Sequence, residues 1–347
     1  LGMIDSKVDE AVKQLIDDSK ESLNWSLNLD CFILKIIAIP SSKLIWVVGS
    51  EDKVFLIDGE TAKIVKKFEN LSDIIFSAVI HPKTCDLILS TSSGIQLLTF
   101  EGKSFFLVEE EDWFEHIAIS SDGRFILVSK GKTLYSLEQK DEKYQLIAKD
   151  NSFTSTISDV IFNIDSFLIS NYGGVREYAV SNLKEYTLFE WKTSLLNISR
   201  SPNKKYIAAG TQENAIHFWP YPLKKDDDFQ MGGYHSKVDT ILWSEDSEKF
   251  LVNGLEDVHI WDFSDGPPYG KSPRIFGCGY GKIIDFIFNG NLLVAASEEG
   301  VVFYFSPDDS DQFVNIQAVD AEITCMSFAG IGRNVYVGSK SGNLYCF

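Results

Sequence analysis

Residues 238–262 read VDTILWSEDSEKFLVNGLEDVHIWD, and this stretch decides the fold. An alternating strand is followed by a polar turn and by a second strand that ends at Asn253-Gly254. An acidic turn then leads to a third strand, which ends at Trp261-Asp262. Short strands joined by polar turns predict a small antiparallel sheet, and the question is whether this unit recurs along the chain.

The unit does recur, because its first strand has apolar residues at positions i, i+3 and i+5 ahead of a turn seven more times. The matching sets are Leu34/Ile37/Ile39, Ile75/Ala78/Ile80, Phe114/Ile117/Ile119, Ile157/Val160/Phe162, Leu195/Ile198/Arg200, Ile283/Phe286/Phe288 and Ile323/Met326/Phe328. Arg200 is the exception to the apolar rule. A period of about 40 residues predicts an all-β propeller of eight four-stranded blades, with seven blades as the alternative.

The stretch from Gly233 to Asp262 resembles a repeat of the WD-repeat β-propeller family. The resemblance implies that a loop histidine, a turn aspartate and a third-strand tryptophan form a structural hydrogen-bonding set. The residues that match are His235, Asp257, Trp261 and Asp262. The other units match less well, and KVFLIDGETAKIV and VYVGSKSGNLYCF also resemble the repeats of pyrroloquinoline-quinone-type propellers.

The two ends of the sequence predict how the ring closes. The eighth unit stops at Phe347 after its third strand, while Leu23–Leu29 alternates like a strand ahead of the first unit. We expect this segment to complete the last blade and so remove an exposed sheet edge. Residues 1–22 form an amphipathic helix with a linker, capped at Ser6, that packs on the propeller or binds a partner, and residues 23–347 form one propeller domain.

Composition limits the classes of function. The 347 residues carry a formal net charge of −18, which disfavours a nucleic-acid binder and suits a basic partner. No apolar run approaches the roughly 20 residues needed to span a bilayer, and no signal peptide is apparent, so we expect no membrane association and a cytoplasmic or nuclear location. The cysteines are odd in number and widely separated, which predicts reduced thiols rather than disulfides or metal ligands: Cys31, Cys85, Cys278, Cys325 and Cys346.

Motifs with catalytic or cofactor-binding chemistry are absent from the sequence, which has no P-loop, HExxH, GxSxG or CxxC pattern. We therefore expect no catalytic residues, no metal and no cofactor. His217 and His259 each precede a third-strand tryptophan by two residues, so alternation places each histidine beside its tryptophan in a structural role.

The predicted loops carry the remaining functional signal. In a four-stranded blade with strands a to d, the bc loop and the da loop that leads to the next blade emerge at the same end. The partner-binding residues predicted in these loops are Glu51, Asp52, Glu110, Glu111, Asp112, Trp113, Tyr172, Trp191, Glu213, Tyr234, Glu256, Tyr280, Glu298 and Glu299. The ab loops at the opposite end carry basic residues, among them Lys43, Arg124 and Lys204.

These observations predict a non-enzymatic scaffold that docks a protein or peptide, of basic character, on the acidic loops. One alternative is a structural subunit of a larger assembly that uses its blade edges and N-terminal helix. The other is a propeller enzyme with an active site in its central funnel, since propeller folds host unrelated functions.

Overall fold

The computed structural model describes residues 2–50, 52–71, 74–222, 224, 227–277, 279–306 and 313–347. These residues form one α-helix and eight four-stranded antiparallel sheets, so the chain folds as an all-β, eight-bladed β-propeller. The eight blades predicted from the sequence period are confirmed, and the seven-bladed alternative is wrong.

The helix and the strands of the first four blades follow one another along the chain. Helix α1 spans Gly2–Ser19 and strand β1 spans Trp25–Asn28. Blades 1 and 2 comprise β2 Ile33–Ala38, β3 Leu44–Gly49, β4 Val54–Asp58, β5 Lys63–Phe68, β6 Ile75–Ile80, β7 Leu87–Thr91, β8 Gly94–Leu98 and β9 Ser104–Glu109. Blades 3 and 4 comprise β10 Ile117–Ile119, β11 Phe125–Lys130, β12 Thr133–Lys140, β13 Lys143–Asp150, β14 Ile157–Asn163, β15 Ser166–Asn171, β16 Gly174–Ala179 and β17 Asn182–Glu190.

The remaining blades repeat the same order. Blades 5 and 6 comprise β18 Leu195–Arg200, β19 Tyr206–Thr211, β20 Ala215–Pro220, β21 Phe229–Gly232, β22 Ile241–Trp243, β23 Lys249–Asn253, β24 Asp257–Asp262 and β25 Arg274–Gly277. Blades 7 and 8 comprise β26 Ile283–Asn289, β27 Leu292–Ser297, β28 Val301–Phe305, β29 Phe313–Ala318, β30 Ile323–Phe328, β31 Val335–Ser339 and β32 Asn343–Cys346. Blade 8 takes β1 as its fourth strand.

Closure by the N-terminal strand is confirmed. β1 pairs antiparallel with β32, with Trp25 opposite Cys346 and Leu27 opposite Leu344. The Trp25 indole also donates a hydrogen bond of 2.9 Å to the carbonyl of Gly59, beyond the strand pairing. The outer edge of β32 is therefore covered by a strand from the other end of the sequence.

The burial of the first strands confirms the predicted repeat in five blades and corrects it in blade 1. The sets beginning at Ile75, Ile157, Leu195, Ile283 and Ile323 are buried at their first two positions, but in β2 the buried residues are Ile33 and Ile36. Leu34 is 36% exposed, so the predicted set Leu34/Ile37/Ile39 is one residue out of phase. Both sets satisfy an i, i+3 spacing, and only burial distinguishes them.

Helix α1 packs against β29, the fourth strand of blade 7. It begins at Gly2 rather than at the predicted Ser6 cap. Its last residue, Ser19, accepts a hydrogen bond of 2.8 Å from the backbone N–H of Ala318 at the end of β29. Ser22 accepts another, of 3.0 Å, from the amide of Gln317. Within the described ranges, no helix is long and apolar enough to cross a bilayer.

Aspartates in strand a join neighbouring blades at two places. Asp159 of β14 accepts a hydrogen bond of 3.1 Å from the backbone N–H of Ile198 in β18. Asp285 of β26 accepts one of the same length from the backbone N–H of Met326 in β30. Desolvation raises the pKa of Asp285 to about 6, although hydrogen bonds from the backbone N–H groups of Met326 and Phe286 oppose the shift.

The chain divides into two compact units. One comprises Leu1–Lys67 and Lys249–Phe347, and the other comprises Phe68–Glu248. Each unit has apolar clusters of its own, one around Ile33, Phe55 and Tyr336 and another around Leu127 and Phe167. Each cluster of polar side chains described below lies within a single unit.

Candidate functional site

The predicted partner-binding residues lie in the loops that the repeat assigned to them, except that Glu51 falls outside the described residues. The bc loops contain Asp52, Tyr172, Glu213, Glu256, Glu298 and Glu299. The da loops contain Glu110, Glu111, Asp112, Trp113, Trp191, Tyr234 and Tyr280. The environments of these residues differ, and two groups of carboxylates stand out.

The first group is the Glu110 cluster, which comprises Glu110, Asp112, Lys130, Tyr135 and Lys149. Lys130 forms ion pairs with both carboxylates, a very close one with Glu110 and one of 3.1 Å with Asp112. Lys149 lies 3.5 Å from the Glu110 carboxylate, and the Tyr135 hydroxyl donates to it at 3.1 Å. Two lysines therefore neutralise this pair of carboxylates.

The pKa values follow from these contacts. The hydrogen bond from Lys130 is the main reason that the pKa of Glu110 is below its usual value, and Tyr135 adds to the effect. The pKa of Asp112 is lowered first by the backbone N–H of Trp113, which donates to it at 2.8 Å, and then by Lys130. Glu111, the remaining member of this acidic loop in the prediction, is exposed.

The second group is the acidic cavity, an opening of about 470 Å³ lined by Glu298, Glu299, Asp320, Ala321 and Glu322. Glu298 and Glu299 lie in the bc turn of blade 7, whereas the other three residues lie in the loop from β29 to β30. Lys340 pairs with Glu322 at 3.0 Å. Lys20 also interacts electrostatically with Asp320. Four carboxylates thus share this cavity with two nearby lysines, so negative charge is in excess among these described residues.

The wall of the acidic cavity is held by backbone contacts. The backbone N–H of Lys282 donates to the Glu298 carboxylate at 3.2 Å, and the N–H of Glu298 donates to the Lys282 carbonyl at 2.8 Å. Gly281 has a φ of +82°, and a Cβ there would lie 2.5 Å from Glu299. Glycine therefore allows the Tyr280–Lys282 segment to lie directly against the two glutamates.

The predicted aromatic anchors range from exposed to fully packed. Trp113 and Tyr172 are 59% and 54% exposed, and the Trp113 ring lies 5.5 Å from the ring of Phe76. Tyr280 is half-buried, 6.0 Å from the ring of Phe303. Tyr234 is buried, with 7% of its surface exposed. The exposed pair presents contact area, whereas Tyr234 contributes to the packing of its own unit.

Trp191 belongs to an aromatic stack. Its ring lies 3.6 Å from that of His217, and the Trp219 ring meets the same imidazole edge-on at 4.5 Å. Alternation therefore places His217 beside Trp219 as predicted. Burial lowers the pKa of His217, and Asp228, 3.0 Å from its Nε2, opposes this shift. The indole N–H of Trp191 donates to Thr193, whose hydroxyl donates to Glu213.

The residues of the WD-like stretch occupy varied positions. His235 is exposed, and Trp261 is half-buried. The carbonyl of Asp257 accepts a hydrogen bond of 2.8 Å from Gly254, which closes the bc turn of blade 6. Asp262 accepts hydrogen bonds from the backbone and hydroxyl of Ser264, which lower its pKa. The structural hydrogen-bonding set implied for these residues stays a prediction.

Metal-binding and nucleophilic groups are sparse in the described part of the chain. No three or more histidine, cysteine, aspartate or glutamate side chains converge there on one point as a metal would require. Cys31, Cys85, Cys325 and Cys346 are thiols that take part in no disulfide, and Cys278 lies outside the described residues. Burial raises the pKa of Cys325 to about 12, which disfavours the reactive thiolate.

Comparison with known proteins identifies the fold and no family. A computationally designed protein, Ika8, matches with a TM-score of 0.74 and 13% sequence identity over 94% of this chain and 99% of its own. A chain in a mitotic checkpoint complex matches with a TM-score of 0.61 and 13% identity over 76% of this chain and 87% of its own. No protein-family model and no curated protein matches the sequence.

Sequence reasoning missed residues in both carboxylate groups. Asp320 and Glu322 follow β29 in a da loop, so the loop rule that selected Tyr280 selects them too once the strand is placed. Lys130 is the last residue of β11, before a bc loop, and Lys149 is the last but one residue of β13, before a da loop. Basic residues at strand ends were the available signal that the Glu110 cluster is neutralised.

Proposed function

We propose that this chain is a non-enzymatic, WD-repeat-like scaffold that docks a basic segment of a partner protein at the acidic cavity. The observation that carries the proposal is the excess of negative charge among Glu298, Glu299, Asp320 and Glu322, with Lys340 paired to one of them. Such a cavity attracts lysine and arginine side chains and speeds their encounter with the surface.

The Glu110 cluster is the weaker candidate for the same role. Its carboxylates already have lysine partners, and a basic ligand would have to displace Lys130 or Lys149 from them. Exchanging one ion pair for another offers little net free energy. We therefore place the basic segment at the acidic cavity.

Two further observations support a scaffold. One of the similar structures is a chain in a multi-component complex, which is in keeping with a propeller that holds protein partners. The Cys325 thiol and the His217 imidazole are both buried, the latter between the rings of Trp191 and Trp219, so neither is exposed to a substrate. A structural subunit and a propeller enzyme remain the alternative hypotheses.

The proposal is tested with a fluorescein-labelled hexalysine peptide and fluorescence anisotropy. The variant Glu298→Gln, Glu299→Gln, Asp320→Asn, Glu322→Gln should raise the Kd at least about tenfold, because it removes the whole attractive charge of the cavity. The matched control is Glu60→Gln, Glu101→Gln, Glu245→Gln, Glu248→Gln, which removes the same number of exposed carboxylates from ab and cd loops.

Each outcome decides the proposal. The cavity is supported as the site if the Kd rises at least about tenfold in the cavity variant and less than about threefold in the control. Both variants lose the same long-range attraction, so a larger effect in the cavity variant reports local contacts. Equal losses would show that hexalysine responds to net charge alone. An unchanged Kd in the cavity variant would reject this site.

A further inference from the structure

A second cavity is formed by ab and cd loops, which lie at the end of their own blades opposite the bc and da loops. It has a volume of about 770 Å³ and lies within the Phe68–Glu248 unit. Its lining comes from the turn between β10 and β11, the turn between β14 and β15, the β16–β17 hairpin and the residue after β20. We call it the tyrosine groove, after Tyr186 and Tyr221, which lie in its wall.

One lining residue of the groove, Glu177, pairs with the arginine that breaks the apolar repeat. Arg200, the residue that breaks the apolar repeat, is buried and forms an ion pair of 2.7 Å with Glu177. Ser166 donates a hydrogen bond of 2.8 Å to the same carboxylate. A charge at a core position is tolerated because it is paired and hydrogen-bonded in this way.

The hydrogen bonds shown for the Glu177 carboxylate involve one of its two oxygens. Both hydrogen bonds, from Arg200 and Ser166, go to Oε1. Its side chain is 10% exposed, and the residue lines the groove. A carboxylate carries about four acceptor positions, so the second oxygen is available for a donor that enters the groove.

An arginine guanidinium packs against each of the two tyrosine rings. The guanidinium of Arg176 lies over the Tyr186 ring at 4.4 Å, and that of Arg200 lies over the Tyr221 ring at 4.6 Å. Arg176 is itself fixed by the hydroxyl and carbonyl of Ser152. Tyr186 and Tyr221 are nevertheless 44% and 40% exposed. Rigid rings with accessible surface are effective anchors for a flat ligand group.

The charge of the groove selects a cation. Its lining carries carboxylates at Asp122, Asp165, Glu177 and Glu185 and a single basic side chain, Arg124. Arg124 forms a close ion pair with Glu138, which Lys140 also contacts at 3.0 Å, so the carboxylates of the lining still outnumber its one basic side chain. The ab loops were expected to be basic, but at this place Lys204 pairs with Asp165 and the groove remains acidic.

We infer that the tyrosine groove binds an arginine side chain of a peptide. A guanidinium is planar, so it stacks on tyrosine rings while its N–H groups donate in the plane to carboxylate oxygens. Here the rings are Tyr186 and Tyr221, and the acceptors are the second oxygen of Glu177 and the carboxylates of Asp122 and Glu185. The ammonium of lysine supplies charge without the planar stacking surface.

The test uses NMR with 13C-labelled tyrosine and the acetylated, amidated peptide Gly-Gly-Arg-Gly-Gly. The expected result is a saturable shift of the Tyr186 and Tyr221 resonances, with a citrulline peptide at least about tenfold weaker because citrulline keeps the shape and lacks the charge. The lysine peptide should be about threefold weaker than the arginine peptide, since it lacks the stacking contribution.

A pair of conservative substitutions keeps the test independent of folding. Glu177→Gln would leave Arg200 buried without its counterion and risks unfolding, so Asp122→Asn with Glu185→Gln is the diagnostic variant, both positions being exposed. It should weaken the arginine peptide at least about fivefold, as expected for loss of two charge-assisted acceptors. The control Asp141→Asn, Glu142→Gln removes the same charge from the cd turn of blade 3 and should change the Kd less than about twofold.

Other results would overturn the inference. These are the absence of shifts at Tyr186 and Tyr221, equal affinity for the citrulline or lysine peptide, or an unchanged Kd in the Asp122→Asn, Glu185→Gln variant. The quadruple variant of the acidic cavity should leave this titration unchanged. The proposed function and the present inference therefore succeed or fail separately.

Discussion

The Glu110 cluster and the acidic cavity have similar sequences and different electrostatics. Both place glutamates and aspartates in bc or da loops, as EEED at residues 109–112 and as EE and DAE at residues 298–299 and 320–322. In the cluster, Lys130 and Lys149 approach the carboxylates from strand ends. In the cavity, Lys340 reaches Glu322, and Glu298 receives a backbone N–H.

The difference teaches that a run of acidic residues does not by itself define a docking surface. What matters is whether the surrounding strands supply counterions, because a neutralised carboxylate stabilises its own loop whereas an excess carboxylate attracts a ligand.

Removing the central lysine of each region should have unequal consequences. Lys130→Met should lower the free energy of unfolding by about 2 kcal/mol, between the values for exposed and buried pairs, because Glu110 and Asp112 lose their shared counterion. Lys340→Met should cost less than about 0.5 kcal/mol, since its pair with Glu322 is exposed. Urea denaturation followed by fluorescence measures both, and equal effects would contradict the comparison.

The two regions should also differ in their response to pH. Glu110→Gln should lower stability by about 1 kcal/mol at neutral pH, because it removes a paired carboxylate. The folded-state pKa of Glu110 is lowered, so its contribution is present above the unfolded-state pKa of about 4.3 and is lost as the pH falls through the lower folded-state value.

The measurement is the stability difference between the original chain and Glu110→Gln at several pH values. It should shrink steadily below about pH 4. Glu298→Gln is the matched control from the acidic cavity, and it should change stability by less than about 0.5 kcal/mol at neutral pH. A difference for Glu110→Gln that stays constant down to pH 3 would show that the carboxylate's ion pairs are not its source.

Salt should produce the smallest effect. Raising the NaCl concentration from about 0.05 M to about 0.5 M should weaken the ion pairs of the Glu110 cluster by a few tenths of a kcal/mol, because these groups are partly exposed. In Lys130→Met the same change should be neutral or slightly stabilising, since salt then screens repulsion between Glu110 and Asp112. Identical salt responses in the two proteins would argue against a neutralised cluster.

The sequence predicted the architecture well because the same spacing of apolar residues recurs in eight units, so an irregular unit does not hide the repeat. Eight copies of one spacing identified the blades even though single units departed from it. In blade 1 the predicted set was displaced by one residue, since Ile33/Ile36 and Leu34/Ile37 satisfy the same spacing. Closure was predictable too, because the eighth unit lacked a fourth strand and one alternating segment remained.

The candidate site was predictable only in part. Loop membership follows from strand order, so residues such as Tyr172 and Glu298 were assigned to the correct loops. Their surroundings do not follow from strand order. Tyr234 is buried, and Trp191 stacks on His217, because each is covered by residues that are distant in sequence.

The amino-acid sequence by itself determined the repeat, the closing strand and the loops of the predicted partner-binding residues that the structure describes. These properties depend on local alternation and on a regular period, both of which are written along the chain. Tertiary structure alone decided which carboxylates are neutralised and why Arg200 occupies a core position beside Glu177. Ion pairing depends on distances of a few ångströms between residues from different strands, and no spacing along the chain encodes such distances.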